Sequence, residues 1–278
     1  MKYLISAAEL YVQLHAVQII EIGVKTADKN HAAKALQQFL NGHIIGARYV
    51  DLNRQFCNLN TSLHYQCPNA TEFYASLKYL GLDFSQPIVI YDRANHIWAA
   101  RLFWILHAYG HQNVRVLHGG WTAWYQAQYP QQTGKMPSFN QFKEFSFQLK
   151  SGFFADLKQV QQATKLSSAT QLINVLRRSV FLGEELRYAR AGHIPNSLSL
   201  PFDQLLNENG QFKMLEENFF TALGIDLNKE IIVYCGSGIT ASGTALIFLS
   251  AQAIAVKVYD GSMSEWSANP NLPLTVWV

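Results

Sequence analysis

The chain has 278 residues, of which 49% are hydrophobic and 15% are charged, and its formal net charge is +3. This length favours two domains, and the apolar fraction is large enough for each of them to bury a core. Lysine and arginine residues are scattered along the chain, which argues against a nucleic-acid-binding face. We therefore expect no nucleic-acid partner.

Targeting and membrane signals are weak. Residues 1–6 lack the long apolar core of a signal peptide and are soon followed by Glu9. The most apolar stretches, 99–109 and 244–256, are too short to span a bilayer or carry charge. Three cysteines fit a reducing cytosol better than a disulfide framework. We expect a soluble, cytoplasmic protein with no membrane partner.

Apolar periodicity in the first half predicts helices that alternate with buried strands. The predicted helices are residues 7–14, 28–40, 70–80 and 96–109. The predicted strands are residues 17–22, 88–91 and 114–117. Such an alternation is typical of a parallel sheet covered by helices on both faces.

Three landmarks of the first half return in the second half in the same order. The paired segments are 42–44 with 192–194, 88–91 with 231–234, and 118–124 with 260–266. Matched landmarks at similar spacings indicate a tandem duplication. We assign residues 1–130 to a first domain, 131–152 to a polar linker and 153–278 to a second domain.

The residues that follow strand 231–234 are the most informative part of the chain. Cys235 ends this apolar run, and Gly236 and Gly238 precede a helix-like run, 239–251. A thiol at a tight strand-to-helix turn is close to free backbone N–H groups and to the positive end of the helix dipole, which favour the nucleophilic thiolate. The glycines allow those N–H groups to converge. We interpret Cys235 as a nucleophile in an anion cradle.

Asp92 takes the place of this cysteine in the first repeat. A carboxylate cannot carry thiolate chemistry, so only one of the two loops can be a nucleophile site. The first domain is therefore predicted to be non-catalytic.

Three other interpretations fit parts of the Cys235 loop. A lone cysteine after an apolar strand is usually a small buried hydrophobe. Gly236, Gly238 and Ala241 also have the spacing of a dinucleotide-binding fingerprint, and Asp260 lies where its ribose-binding acid would be. That fingerprint normally opens a domain, and the roughly 40 residues that follow it here are too few for the further parallel strands of such a domain. A cysteine phosphatase needs an arginine in this loop to hold phosphate. Residues 236–242 contain neither arginine nor lysine, which excludes that class.

With these residues, the chain resembles the two-domain rhodanese-like sulfurtransferases over nearly its whole length. Residues 235–240 are close to the Cys-Gly-Ser-Gly-Val-Thr loop of the 3-mercaptopyruvate branch, whereas the thiosulfate branch usually has arginine and lysine after the cysteine. The other matching landmarks are Gly192-His193-Ile194-Pro195, Asp260-Gly261-Ser262, Trp266 and Asp92. The resemblance implies two tandem rhodanese-like α/β domains.

The resemblance also implies sulfur transfer through a persulfide. Cys235 would take sulfur from 3-mercaptopyruvate, release pyruvate, and pass the sulfur to cyanide or to a thiol, such as thioredoxin or a low-molecular-weight thiol. Ser237 and His64 would relay a proton to the departing enolate. The loop that cradles the persulfide would be Gly236, Ser237, Gly238, Ile239 and Thr240. No cofactor is implied.

Two parts of the family pattern are altered. Val180 stands where the family has the first arginine that holds the substrate carboxylate, and Arg187 lies within one residue of the second. We expect Arg187 to bind the substrate, with Arg178 as a substitute for the first arginine. Asn53 stands where the family has the acid of the relay, and Asp51 is the available substitute.

These changes keep other functions open. Within enzymes, the alternative is a thiosulfate:cyanide sulfurtransferase. From another class, the alternative is a non-catalytic rhodanese-like sulfur carrier or binding module. Cys57, His64 and Cys67 lack a fourth ligand and a close cysteine pair, so no metal site is predicted.

Overall fold

A computed structural model describes residues 2–23, 29–135, 142–143, 147–216 and 218–277. The chain divides into two compact units. Unit 1 contains Met1–Asn60 and Cys67–Lys150, and unit 2 contains Thr61–Gln66 and Ser151–Val278. Residue 28, the predicted start of a helix, and residues 136–141 and 144–146 of the predicted linker lie outside the described residues.

Unit 1 is built on a five-stranded parallel sheet with the order β1-β6-β5-β2-β4. Its strands are β1 (Leu4–Ile5), β2 (Gln18–Gly23), β4 (Arg48–Asp51), β5 (Ile88–Tyr91) and β6 (Val114–Leu117). A separate antiparallel pair consists of β3 (His43–Ile44) and β7 (Gln131–Gln132). The central strand β5 is buried along its whole length, as its apolar run predicts.

The helices of unit 1 begin and end where capping residues allow. They are α1 (Ala7–Val12), α2 (Lys29–Asn41), α3 (Leu52–Gln55), α4 (Ala70–Leu80), α5 (Ile97–Ala108) and α6 (Gly120–Gln126), with a 3-10 turn at Leu14–Ala16. Capping boxes at Ser6 and Asn69 start α1 and α4. Gly81, with a φ of 59°, ends α4 in the left-handed region that glycine adopts freely.

Unit 2 repeats this arrangement with the sheet order β10-β9-β11-β12-β8, again with every pair parallel. Its strands are β8 (Phe154–Ala155), β9 (Gln171–Asn174), β10 (Ser197–Ser199), β11 (Glu230–Tyr234) and β12 (Ala255–Tyr259). Its helices are α7 (Leu157–Ala163), α8 (Arg178–Leu182), α9 (Phe219–Ala222), α10 (Ile239–Ser250) and α11 (Ser262–Trp266), with a 3-10 turn at Phe202–Leu205. The predicted α/β class with parallel sheets is confirmed, and the two sheet orders correspond strand for strand.

The repeated Gly-His-Ile motif has the same structural role in both units. His43 donates from Nδ1 to the carbonyl of Phe39 (2.7 Å) and stacks on its ring. His193 does the same with Phe181, also at 2.7 Å. Burial lowers the pKa of both imidazoles, which favours the neutral form. Each histidine therefore fixes a turn as a neutral hydrogen-bond donor.

Across the parts of the chain that the structure describes, no helix combines the length and the apolar character needed to cross a bilayer.

Candidate active site

Cys235 lies at the carboxyl end of β11, the central strand of the unit 2 sheet, and is 2% exposed. Ligands of open parallel sheets bind at this end of the strands. Helix α10 begins four residues later, with Gly238 as its N-cap at a φ of 77°. The left-handed conformation explains the second glycine of the loop, because a side chain there would be strained.

The loop is held by the start of α11. The hydroxyl of Ser262 accepts hydrogen bonds from the N–H groups of Cys235 (3.1 Å) and Gly238 (3.2 Å). The carbonyl of Cys235 accepts a hydrogen bond from the N–H of Met263 (3.0 Å). The carbonyl of Gly236 accepts hydrogen bonds from the N–H and the hydroxyl of Ser264. The backbone of the proposed nucleophile is thus fixed on both sides.

The duplicated loop of unit 1 carries a bound carboxylate. Asp92 Oδ1 accepts from the N–H groups of Ala94 (3.0 Å) and His96 (3.2 Å). Its Oδ2 accepts from the N–H groups of Trp98 (3.1 Å) and Ala99 (3.0 Å), in the first turn of α5. Four backbone donors therefore converge on a single anion at this point of the fold.

The same first-turn donors are present in unit 2. Counted from the N-caps His96 and Gly238, the positions of Trp98 and Ala99 correspond to Thr240 and Ala241. Among the residues that the structure describes, none accepts a hydrogen bond from the N–H groups of Thr240 and Ala241. Of the other predicted cradle residues, Gly236 and Ile239 are buried and Ser237 is half-buried. The loop of unit 2 can accommodate an anion attached to Cys235.

Tyr188 lies beside this loop, and sequence analysis missed it. Its hydroxyl packs against Gly236 so closely that a side chain at position 236 would overlap it. Burial is the main cause that raises the pKa of Tyr188, and the nearby Cys235 raises it further, whereas a hydrogen bond from Arg187 lowers it. The predicted substrate residue Arg187 is exposed and directly precedes Tyr188 in the chain.

The other arginines of this segment have different surroundings. Arg190 donates to four carbonyl groups, those of Trp266, Ser267, Asn269 and Leu272, at 2.6–3.2 Å. Its hydrogen bonds hold the C-terminal segment. Arg177 forms an exposed ion pair with Glu185. Arg178, the predicted substitute, lines an open cavity of about 360 Å³ with Pro201, Asp203 and Gln204.

The predicted relay residues lie in different parts of the chain. His64 is exposed and belongs to the segment Thr61–Gln66 of unit 2, where the side chain of Gln66 donates to the carbonyl of Asp260 (2.9 Å). Asn53 is in unit 1. The side chain of Asp51 caps α3 by accepting a hydrogen bond from the backbone N–H of Asn53 (3.1 Å). Asp51 is thus engaged in capping.

An ion pair on a buried carboxylate in unit 1 is not repeated at the corresponding positions of unit 2. Arg93, the residue after Asp92, pairs with Glu21 (2.6 Å) and lies over the Trp121 ring. The corresponding positions in unit 2 are Gly236 and Asn174. Because position 236 has no cation, a buried carboxylate at position 174 would be unpaired, which explains the neutral amide.

Within the described residues, no group of three or more His, Cys, Asp or Glu side chains is arranged to hold a metal ion. Cys57 is buried and Cys67 is half-buried.

The duplicated sheet and its two strand-to-helix loops match a known family model, the rhodanese-like domain, over residues 7–127 and 163–269. The chain belongs to the rhodanese-like family. It is 29% identical over 265 residues to 3-mercaptopyruvate sulfurtransferase of Escherichia coli K12, covering 93% of this chain and 92% of that protein. It is 31% identical to the putative thiosulfate sulfurtransferase SseB of Mycobacterium tuberculosis, covering 98% and 96%.

A solved structure agrees with these relatives. The crystal structure of SseA from E. coli, described as a 3-mercaptopyruvate sulfotransferase with the rhodanese fold, superposes with a TM-score of 0.82 at 26% identity, over 94% of this chain and 98% of that one. The resemblance to two-domain rhodanese-like sulfurtransferases is confirmed. This rhodanese-like chain is an enzyme of the sulfurtransferase type.

Proposed function

We propose that this rhodanese-like enzyme moves sulfane sulfur from 3-mercaptopyruvate to a thiol through a persulfide on Cys235, with release of pyruvate. The observation that carries the proposal is the pair of duplicated loops. In unit 1 the carboxylate of Asp92 accepts hydrogen bonds from four backbone N–H groups. In unit 2 Cys235 takes the place of Asp92, and the equivalent first-turn N–H groups have no acceptor among the described residues. A thiolate or a persulfide anion is stabilised by such donors as an oxyanion is.

The reaction has two sulfur transfers. The Cys235 thiolate attacks the sulfur of the donor, so that an S–S bond forms, the C–S bond breaks and its electron pair leaves as the enolate of pyruvate. The enolate takes a proton at carbon, to which Ser237 and His64 contribute as the relay. An acceptor thiolate then attacks the outer sulfur and releases Cys235 as a thiolate.

The charges near the loop favour a monoanionic donor. Residues 236–242 carry no cation, so a dianion such as thiosulfate gains little there. Arg187 is exposed, precedes the Tyr188 that packs against the nucleophile loop, and can pair with one carboxylate. Arg178 is the second candidate for the carboxylate.

The acceptor is a dithiol protein such as thioredoxin or a low-molecular-weight thiol, and the reaction takes place in the cytoplasm without a cofactor. Unit 1 acts as the non-catalytic copy because Asp92 occupies its cradle. A thiosulfate:cyanide sulfurtransferase is the second candidate, which the 31% identity to the M. tuberculosis relative favours.

Steady-state pyruvate release from 3-mercaptopyruvate with excess dithiol, run beside thiosulfate plus cyanide, tests the proposal. Faster turnover of mercaptopyruvate supports it. Preference for thiosulfate would assign the second candidate. Uptake of one sulfur per Cys235 without turnover would indicate a sulfur carrier instead.

A further inference from the structure

Ser262 combines complete burial with an unusual backbone conformation. It is 0% exposed, and its φ of 48° lies in the left-handed region that favours glycine. The equivalent residue of unit 1 is Gly120, with a φ of 52°. A serine at this position is therefore unfavourable for the backbone, and its side chain must compensate.

The hydroxyl of Ser262 makes three hydrogen bonds within unit 2. It donates to the carbonyl of Tyr259 (2.7 Å) and accepts from the N–H groups of Cys235 (3.1 Å) and Gly238 (3.2 Å). Both acceptor contacts are made to the nucleophile loop. The side chain thus connects the end of β12 to the two ends of the turn that precedes α10.

In unit 1 the corresponding contact is made by a different group. The N–H of the N-cap His96 is accepted by Oδ1 of Asp92, the side chain at the nucleophile position. In unit 2 the N–H of the N-cap Gly238 is accepted by Ser262. A carboxylate can both occupy the cradle and hold its loop, because its bonding never changes. A sulfur atom that forms and breaks a bond in every turnover cannot.

We propose that Ser262 is a positioning residue that holds the Cys235 loop in shape throughout the sulfur-transfer cycle. Because Ser262 accepts the N–H groups of Cys235 and Gly238, the loop keeps its shape without using the sulfur as an acceptor. The N–H groups of Thr240 and Ala241 then stay available to the thiolate and to the persulfide. The inference rests on the proposed function of Cys235 and adds to it a residue outside the loop.

Two substitutions of Ser262 separate the hydroxyl from the backbone. Ser262→Gly removes the oxygen and relieves the left-handed conformation, as in Gly120, so its melting temperature should be above that of Ser262→Ala. Ser262→Ala removes only the oxygen. We expect both variants to lower the rate of sulfur loading roughly tenfold or more with an unchanged KM for the donor, because small displacements of a reacting group are costly. Ser267→Ala, at a buried serine five residues downstream, is the control and should retain wild-type rates.

The deciding measurement is alkylation of Cys235 by iodoacetamide as a function of pH, followed by peptide mass spectrometry, since it needs no sulfur donor. We expect both variants to move the midpoint of this profile to higher pH while Ser267→Ala does not. If Ser262→Gly is active while Ser262→Ala is inactive, the effect comes from the backbone and the proposal is overturned. An alkylation profile equal to that of the wild type in both variants would overturn it as well. Failure of the wild type to turn over any donor would refute the proposed function alone, because alkylation still reports on the loop.

Discussion

The hydroxyl of Tyr188 lies against the backbone of Gly236, the residue that follows the proposed nucleophile. The phenol occupies the space that a side chain at position 236 would need. The first glycine of the loop is therefore required by a close approach, whereas the second, Gly238, is required by a left-handed φ of 77°.

Gly236→Ala should disturb the site through Tyr188. The added methyl group would push the ring away from the loop, and we expect kcat/KM for the donor to fall about tenfold, in keeping with the cost of small misplacements at a reacting centre. A double-mutant cycle with Tyr188→Ala checks the cause. In the Tyr188→Ala background, Gly236→Ala should have little further effect. Additive losses would show that the alanine acts on the loop itself.

Arg187→Ala and Arg190→Ala should have opposite signatures. Arg187 is exposed and is the proposed contact for the substrate carboxylate, so its loss should raise the KM for 3-mercaptopyruvate and leave the melting temperature unchanged. Arg190 donates to four backbone carbonyls, so its loss should lower the melting temperature. Steady-state kinetics and calorimetry on both variants measure the difference. An unchanged KM in Arg187→Ala would direct the search to Arg178.

Cys235→Asp should give an inactive protein that remains folded. The carboxylate would find open N–H donors at Thr240 and Ala241, as Asp92 does at Trp98 and Ala99. We expect a melting temperature at or above that of Cys235→Ser, which should also be inactive. A Cys235→Asp protein that is much less stable would mean that the donors of unit 2 do not converge on the side chain.

Asp92→Ala should act on stability and leave the chemistry of Cys235 intact. The substitution leaves four N–H groups without their acceptor, two of them at buried contacts, which should cost on the order of 3 kcal/mol of unfolding free energy. Urea unfolding measures the loss, and the rate of sulfur loading serves as the internal control. Loss of loading in a folded Asp92→Ala protein would contradict the assignment of unit 1 as the non-catalytic copy.

Acid should destabilise the fold through its buried histidines. Burial lowers the pKa of His43, His107, His111 and His193 in the folded state. The unfolded chain therefore takes up protons first, and the stability present above about pH 6.5 is lost as the pH falls below it. Urea midpoints between pH 5 and 8 should show this slope. The dependence of the urea midpoint on pH should be shallower in a His43→Asn, His193→Asn double variant. An equal dependence in that variant and the wild type would show that these two histidines do not cause it.

The parallel sheets and the position of Cys235 were predictable because they follow from short-range patterns. The buried run before Cys235 predicts a strand, and the duplication predicts its partner loop at Asp92. The roles of Tyr188 and Arg190 were not predictable, because each depends on which distant backbone the side chain reaches. Four nearby arginines look alike in sequence, and only the four carbonyls that accept from Arg190 distinguish it from the exposed Arg187.

Ser262 is an intermediate case. Its place opposite Gly120 in the repeat is visible in the sequence, and a serine where the other copy has glycine is an informative difference. What the sequence does not contain is the φ of 48°, which turns an ordinary substitution into one that needs a compensating contact.

The segment Thr61–Gln66 has a practical consequence for dissecting this enzyme. These six residues precede most of unit 1 in the chain but pack with unit 2, where Gln66 reaches the carbonyl of Asp260. A gene fragment that starts at residue 151 would encode the nucleophile loop without the hexapeptide that carries His64. A loss of activity in such a fragment could therefore come from the missing hexapeptide. A control would add back a separately expressed fragment that contains residues 61–66 before the loss is attributed to residues 151–278.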